Sequence, residues 1–79
     1  MRQLNQVLMT ELGKYFKQKS INKSEIARKT GISSSRLSEL SRNEKSRLKA
    51  EELHLISLAL DTSASEILEK LYGHLKLKN

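Results

Sequence analysis

Along this chain the apolar positions fall three and four residues apart, the spacing of one face of a helix. Leu4, Leu8, Leu12 and Phe16 form the first such stripe, with Val7 and Tyr15 beside it, and predict a helix over residues 4–18. Ser20-Ile21-Asn22 interrupts it. Asn22 suits the N-cap of a second helix over 23–29, with Glu25 in the capping-box position and Ile26 and Ala27 facing inward. Gly31 supplies a residue free to take positive φ at a tight turn. Ser33 caps a third helix over 34–41, whose inward residues are Leu37 and Leu40. A polar loop, 42–49, leads to a fourth helix over 50–60 with Ala50, Leu53, Ile56 and Leu60 on one face. Asp61-Thr62 turns the chain, and Ser63 with Glu66 opens a fifth helix over 64–76 carrying Ile67, Leu68, Leu71 and Leu75. No stretch reads as a strand. With no proline and only three glycines, nothing divides the chain in two. The expectation is a single all-α domain over 1–79, a compact bundle of five helices.

Residues 22–41 form one unit. Two helices of about two turns each are joined by Thr30-Gly31-Ile32-Ser33. Ala27 leaves room for them to cross closely, and Ile26, Ile32, Leu37 and Leu40 pin the pair to the remaining helices. This is the layout of a helix-turn-helix, whose second helix enters the DNA major groove and presents its N-terminal residues to base edges. Ser33-Ser34-Ser35 also has a plainer reading, as a cap and a loop. Leu37 and Leu40, following at helical spacing, favour the leading edge of a helix.

Composition narrows the partners. At 79 residues the chain can bury only a small core, and a fold this short without disulfide or metal often gains stability by self-association. The absence of cysteine removes disulfide scaffolds, thiolate metal sites and thiol nucleophiles together. His54 and His74 are far apart in sequence and have no partner motif. There is no phosphate-binding glycine loop, no metal-ligand spacing and no nucleophile–base pair, so neither an enzyme nor a cofactor nor a metal is expected. A basic-then-apolar leader is missing and no apolar run approaches ~20 residues, which predicts a soluble cytoplasmic protein with no membrane partner. The net charge of +6 is unevenly spread: residues 14–49 hold eleven Lys and Arg against three Glu, while 50–69 hold five acidic groups and neither Lys nor Arg. A segregated basic region is the footprint of a polyanionic partner, against the blander alternative of an unevenly charged solvated surface.

The stretch "INKSEIARKTGISSSRLSEL", 21–40, resembles the motif of the phage-repressor helix-turn-helix family, the Cro and cI type. Lys23 takes the place usual for Gln, Ile26-Ala27 that of Leu-Ala, and Gly31-Ile32-Ser33 and Leu37/Leu40 match. "EELHLISLALDTSASEIL", 51–68, resembles the family's fourth helix, turn and fifth helix, so the likeness covers residues 8–68. It implies a five-helix, lambda-repressor-like DNA-binding fold. Three positions depart from the pattern. Phe16 and Ser41 stand where an Arg–Glu pair is frequent, and losing both partners together leaves no charge unpaired. Asn43 replaces a glycine, and is the next best residue for a left-handed conformation. Lys23 can meet a phosphate as a point charge but lacks the dual hydrogen bonding of an amide.

The resemblance implies roles residue by residue. Ser34, Ser35 and Arg36 would face base edges, with Glu39 a turn further on. Arg36 would grip O6 and N7 of a guanine and carry most of the direct readout, and Glu39 would accept from a cytosine amine. Phosphate contacts would fall to Asn22, Lys23, Ser33, Arg42, Asn43, Lys45 and Arg47. Two plainer readings stand beside these: Arg36 and Glu39 paired at i,i+3 on a solvated face, and a loop 42–49 whose charge only solubilises. Leu55 and Leu58 lie off the inward stripe of the fourth helix, and Leu68, Leu71, Tyr72 and Leu75 add more apolar surface than a small core needs. These six predict the interface of a two-fold homodimer with its recognition helices ~34–36 Å apart; the alternative is that they complete the monomer core. Small members of the family serve as phage-type repressors, as antitoxins that repress their own operon and as controllers of restriction-modification systems. The expected function is therefore a sequence-specific double-stranded DNA-binding regulator, a repressor acting as a homodimer on a palindromic operator. The competing reading is an interaction module of the same fold that binds a toxin or other protein, with weak or no DNA binding.

Overall fold

Side-chain caps set where the helices begin. In the computed structural model, which describes residues 9–78, Thr10, Asn22, Ser33 and Ser63 are each extended, and each accepts a backbone N–H from three residues on. The helices that follow are α1 (Glu11–Gln18), α2 (Lys23–Thr30), α3 (Ser34–Arg42) and α5 (Ala64–Tyr72). The remaining one, α4 (Ala50–Leu60), opens differently: Oε1 of Glu52 reaches back to accept the Lys49 N–H at 2.9 Å. The fold is all-α, with no strand among the described residues.

α2 and α3 each run one residue beyond the expected end, and two boundaries differ by more. α1 starts at Glu11, not residue 4, because Thr10 is a cap: its Oγ1 accepts the Gly13 N–H at 3.0 Å and donates to the Leu40 carbonyl at 2.7 Å. Leu4, Val7 and Leu8, the upstream part of that stripe, lie outside the described residues. α5 stops at Tyr72, four residues short of the predicted end. The Gly73 N–H still closes onto Glu69, but the Leu75 N–H turns back to Tyr72 at 2.9 Å, and residues 75–78 are not helical. Glycine is the poorest helix former apart from proline, and the helix ends beside it.

α1 packs on α3 and α5, α2 on α3 and α4, and α4 on α5. Leu37, Ile56 and Ile67, one from each of α3, α4 and α5, are fully buried where these faces meet, and Leu12, Phe16 and Ile26 close around them. Of the leucines expected at a dimer surface, Leu71 instead belongs to this core, at 4% exposure. Leu55 is half-buried against the core; Leu58, Leu68, Tyr72 and Leu75 are exposed. The stripe of α5 faces α1 and α4 on one side only, which separates Leu71 from its apolar neighbours.

Candidate nucleic-acid interface

The turn between α2 and α3 is built from local chemistry. Gly31 takes φ 82°, the left-handed conformation that ends α2, and its N–H closes onto the Ala27 carbonyl at 2.9 Å. Thr30 donates its hydroxyl to the Ile26 carbonyl at 2.7 Å and accepts the Ile32 N–H at 3.0 Å, so the turn leaves few backbone groups unmet. Ile32 is buried and anchors it. Ser33 caps α3 by accepting the Arg36 N–H at 3.0 Å. Ser34 and Ser35 are then the first two residues of α3, and both are exposed. At the other end of the unit, Asn22 Oδ1 accepts the Glu25 N–H at 3.2 Å. Glu25 does not reach back in capping-box fashion; its carboxylate pairs with Arg28 on the exposed face, which holds it below the usual glutamate range.

The C-terminal end of α3 is tied to α1. The Thr10 N–H donates to the Ser41 carbonyl at 2.9 Å, next to the Thr10 hydroxyl bond to Leu40. Phe16 and Ser41 are both buried, and Ser41 turns its hydroxyl onto the Leu37 carbonyl at 2.8 Å. These backbone-directed bonds hold α1 to α3 without an ion pair at the two positions.

Arg36 is placed otherwise than a free base-reading arginine. Its Nε donates to Glu52 Oε2 at 2.8 Å and its Nη2 to Glu52 Oε1 at 3.0 Å, while Nη2 also donates to the Arg47 carbonyl at 2.8 Å. The Glu52 side chain keeps only 11% of its surface. Hydrogen bonds from Arg36 hold this carboxyl below its ordinary value, burial opposes them, and the Lys49 N–H adds to them. The same pair raises the Arg36 guanidinium above its ordinary value. Two parallel N–H···O bonds to one carboxylate match the fork of arginine, a geometry that lysine cannot reproduce. Arg36 therefore joins α3 to α4. The Arg36–Glu39 pairing open from the sequence is a loose one, at 4.0 Å. Glu39 has a closer partner, accepting the Ser46 hydroxyl at 2.8 Å.

Asn43 is extended, φ −110°, not left-handed; its Oδ1 accepts the Lys45 N–H at 2.9 Å and its carbonyl the Ser46 N–H at 3.0 Å, so it opens a turn. The side-chain turn supplies what a left-handed residue would otherwise have provided. Arg42, Asn43, Lys45 and Arg47 are exposed, and Lys23 is half-buried. Lys17, Lys23 and Arg42 line one shallow groove where the end of α1, the start of α2 and the end of α3 meet. His54 and His74 are both exposed, and no group of three His, Asp or Glu side chains converges among the described residues. No helix among those residues is long and apolar enough to cross a membrane.

The profile of the Cro/C1-type HTH DNA-binding domain matches residues 11–70. The chain belongs to this family. The match opens on the first residue of α1 and closes two residues before the end of α5, so it takes in the whole bundle and not the two-helix motif alone. No curated protein and no solved structure matches the chain. A Cro/C1-type domain is a DNA-binding domain, and here α2, the Gly31 turn and α3 form its helix-turn-helix. Glu52 is the residue of this domain that sequence reading passed over. Its signal was its place three residues beyond Lys49, the position from which a Glu caps a helix.

Proposed function

We infer that the chain is a sequence-specific transcriptional regulator, a repressor acting as a homodimer on a palindromic operator, with α3 in the major groove. The observation that carries this reading is the exposed leading edge of α3, Ser34 and Ser35, on a domain whose Arg42, at the other end of α3, and Lys45 and Arg47, in the loop after it, are exposed as well. Ser34 and Ser35 take the base-edge contacts. Serine hydroxyls bond most bases and discriminate little, so DNA shape and deformability supply much of the specificity. Asn22, Lys23, Ser33, Arg42, Asn43, Lys45 and Arg47 take the phosphates. The groove shared by Lys17, Lys23 and Arg42 supports this, since it gathers three cations where the end of α1, the start of α2 and the end of α3 meet.

A second reading has its own support. Leu58, Leu68, Tyr72 and Leu75 are exposed apolar side chains on α4, on α5 and just beyond it. In the regulator they are the two-fold interface; in an interaction module they bind another protein. Mobility shifts with random duplex DNA at two salt concentrations separate the readings. Affinity that falls steeply with salt reports phosphate contacts and supports the regulator. No binding at low salt leaves the interaction module. Selection from the same pool then tests the dimer, because a two-fold protein selects a palindrome.

A further inference from the structure

The loop of residues 43–49 carries Lys45 and Arg47 but has no helix to set its shape. It is fastened to α3 by side chains. Nη2 of Arg36 donates to the Arg47 carbonyl and Ser46 Oγ donates to Glu39 Oε2, both at 2.8 Å. Arg36 is in turn held by Glu52 at the start of α4, and it stands one turn from Glu39 on α3. The chain Glu52–Arg36–Glu39–Ser46 thus runs as a ladder beside the loop.

We propose that Arg36 and Glu39 are positioning residues that read no base: they fix the 43–49 loop against α3, so that Lys45 and Arg47 meet phosphates while Ser34 and Ser35 meet base edges. The proposal rests on the DNA-binding reading above. For Arg36 to reach a guanine it must abandon Glu52, leaving a nearly buried carboxylate without its cation, which is strongly unfavourable. Glu39 raises the converse question, since a free carboxylate on a DNA-facing helix repels phosphate. Bonded to Ser46 and facing Arg36, it is turned to holding the loop.

Charge and geometry predict opposite signs for one substitution. Glu52→Gln removes an acidic group and leaves an oxygen to accept the Lys49 N–H. Through charge alone it strengthens DNA binding; through the ladder it weakens it. The experiment titrates the full chain and its Glu52→Gln, Arg36→Gln and Ser46→Ala variants against a random-sequence duplex pool over a range of salt, and selects bound sequences from that pool. Glu52→Gln and Arg36→Gln are expected to lose affinity alike, by about tenfold, with a salt slope shallower by about 1 to 2 and an unchanged selected sequence. Ser46→Ala cuts the ladder at its outer rung, away from the core, and is expected to flatten the slope in the same sense with the fold intact. A changed base at one selected position in Arg36→Gln overturns the proposal. So does a Glu52→Gln protein that binds as tightly as the parent with the same slope, or a Ser46→Ala protein that matches the parent in both. If the parent chain fails to bind at low salt, the DNA-binding reading falls first and the ladder's role falls with it; ladder variants that behave like a binding parent overturn the ladder alone.

Discussion

Gly13 of α1 lies directly against the backbone of Ser41 of α3: a Cβ built on Gly13 would overlap the Ser41 carbonyl oxygen and stand 3.1 Å from the carbonyl carbon. Together with the Thr10 bonds to Leu40 and Ser41, this close approach ties the C-terminal end of α3 to α1. A glycine inside a helix ordinarily costs about 1 kcal/mol relative to alanine. At this position the missing methyl is what allows the crossing.

Gly13→Ala is therefore expected to destabilise the domain although it improves the helix. Forcing a methyl into a packed contact costs typically 1–3 kcal/mol, against about 1 kcal/mol gained in propensity. The neighbouring atoms are backbone, which cannot swing aside. Urea unfolding should show a net loss of up to about 2 kcal/mol, and a stability above the parent's would refute the role assigned to the contact.

Gly31→Ala should be harmful for a different reason. Nothing lies within 4 Å of a Cβ there, so space is not the issue; the cost comes from φ 82°. A left-handed non-glycine residue costs about 1–2 kcal/mol. Gly31→Asn, which tolerates that conformation better, should recover part of the loss. Equal stability of the Ala and Asn proteins in thermal unfolding would show that the backbone angle is not what selects glycine.

What was legible in the sequence is the local chemistry. Asn22, Ser33 and Ser63 as caps and Gly31 as a turn residue each act within three or four positions, so their types and spacing carry the message. The misplaced start of α1 has a local cause of another kind: Leu4, Leu8, Leu12 and Phe16 keep one helical period straight through Thr10, and periodicity alone does not tell a capping threonine from one inside a helix. Arg36 and Glu52 lie on different helices sixteen positions apart, and Glu52 looks like one of several acids in a charged stretch. Leu71 and Leu75 likewise share a periodic stripe, and only the packing of α1 and α4 against α5 decides which is buried.

Acid should weaken the fold through Glu52. Its native carboxyl is held below the ordinary value of 4.5, chiefly by the hydrogen bonds from Arg36. A lowered native value means that the stabilisation is fully present above pH 4.5 and disappears as pH falls through the native value. The melting temperature should drop below that pH, and more steeply in the parent than in Glu52→Gln, which has no proton to take up. Glu25, lowered by Arg28, has the same sign but sits on the screened surface, so Glu25→Gln should flatten the profile less. Parallel acid profiles for the parent and Glu52→Gln would exclude the pair as a source of the pH dependence.

The exposed apolar side chains give the sharpest test of the proposed dimer. Leu68 and Leu75 retain 43% and 63% of their surface, so replacing both with Glu should leave the monomer's core unchanged. On a two-fold axis each substitution appears twice and sets carboxylates against an apolar partner surface, so the double variant should sediment as a monomer. It should still bind a duplex carrying one half-site while losing the advantage of two half-sites spaced by one helical turn. Leu71→Glu provides the contrast: that side chain is in the core, and the substitution should abolish cooperative unfolding altogether. A parent chain that sediments as a monomer both alone and on a two-half-site duplex would leave this apolar surface to another protein.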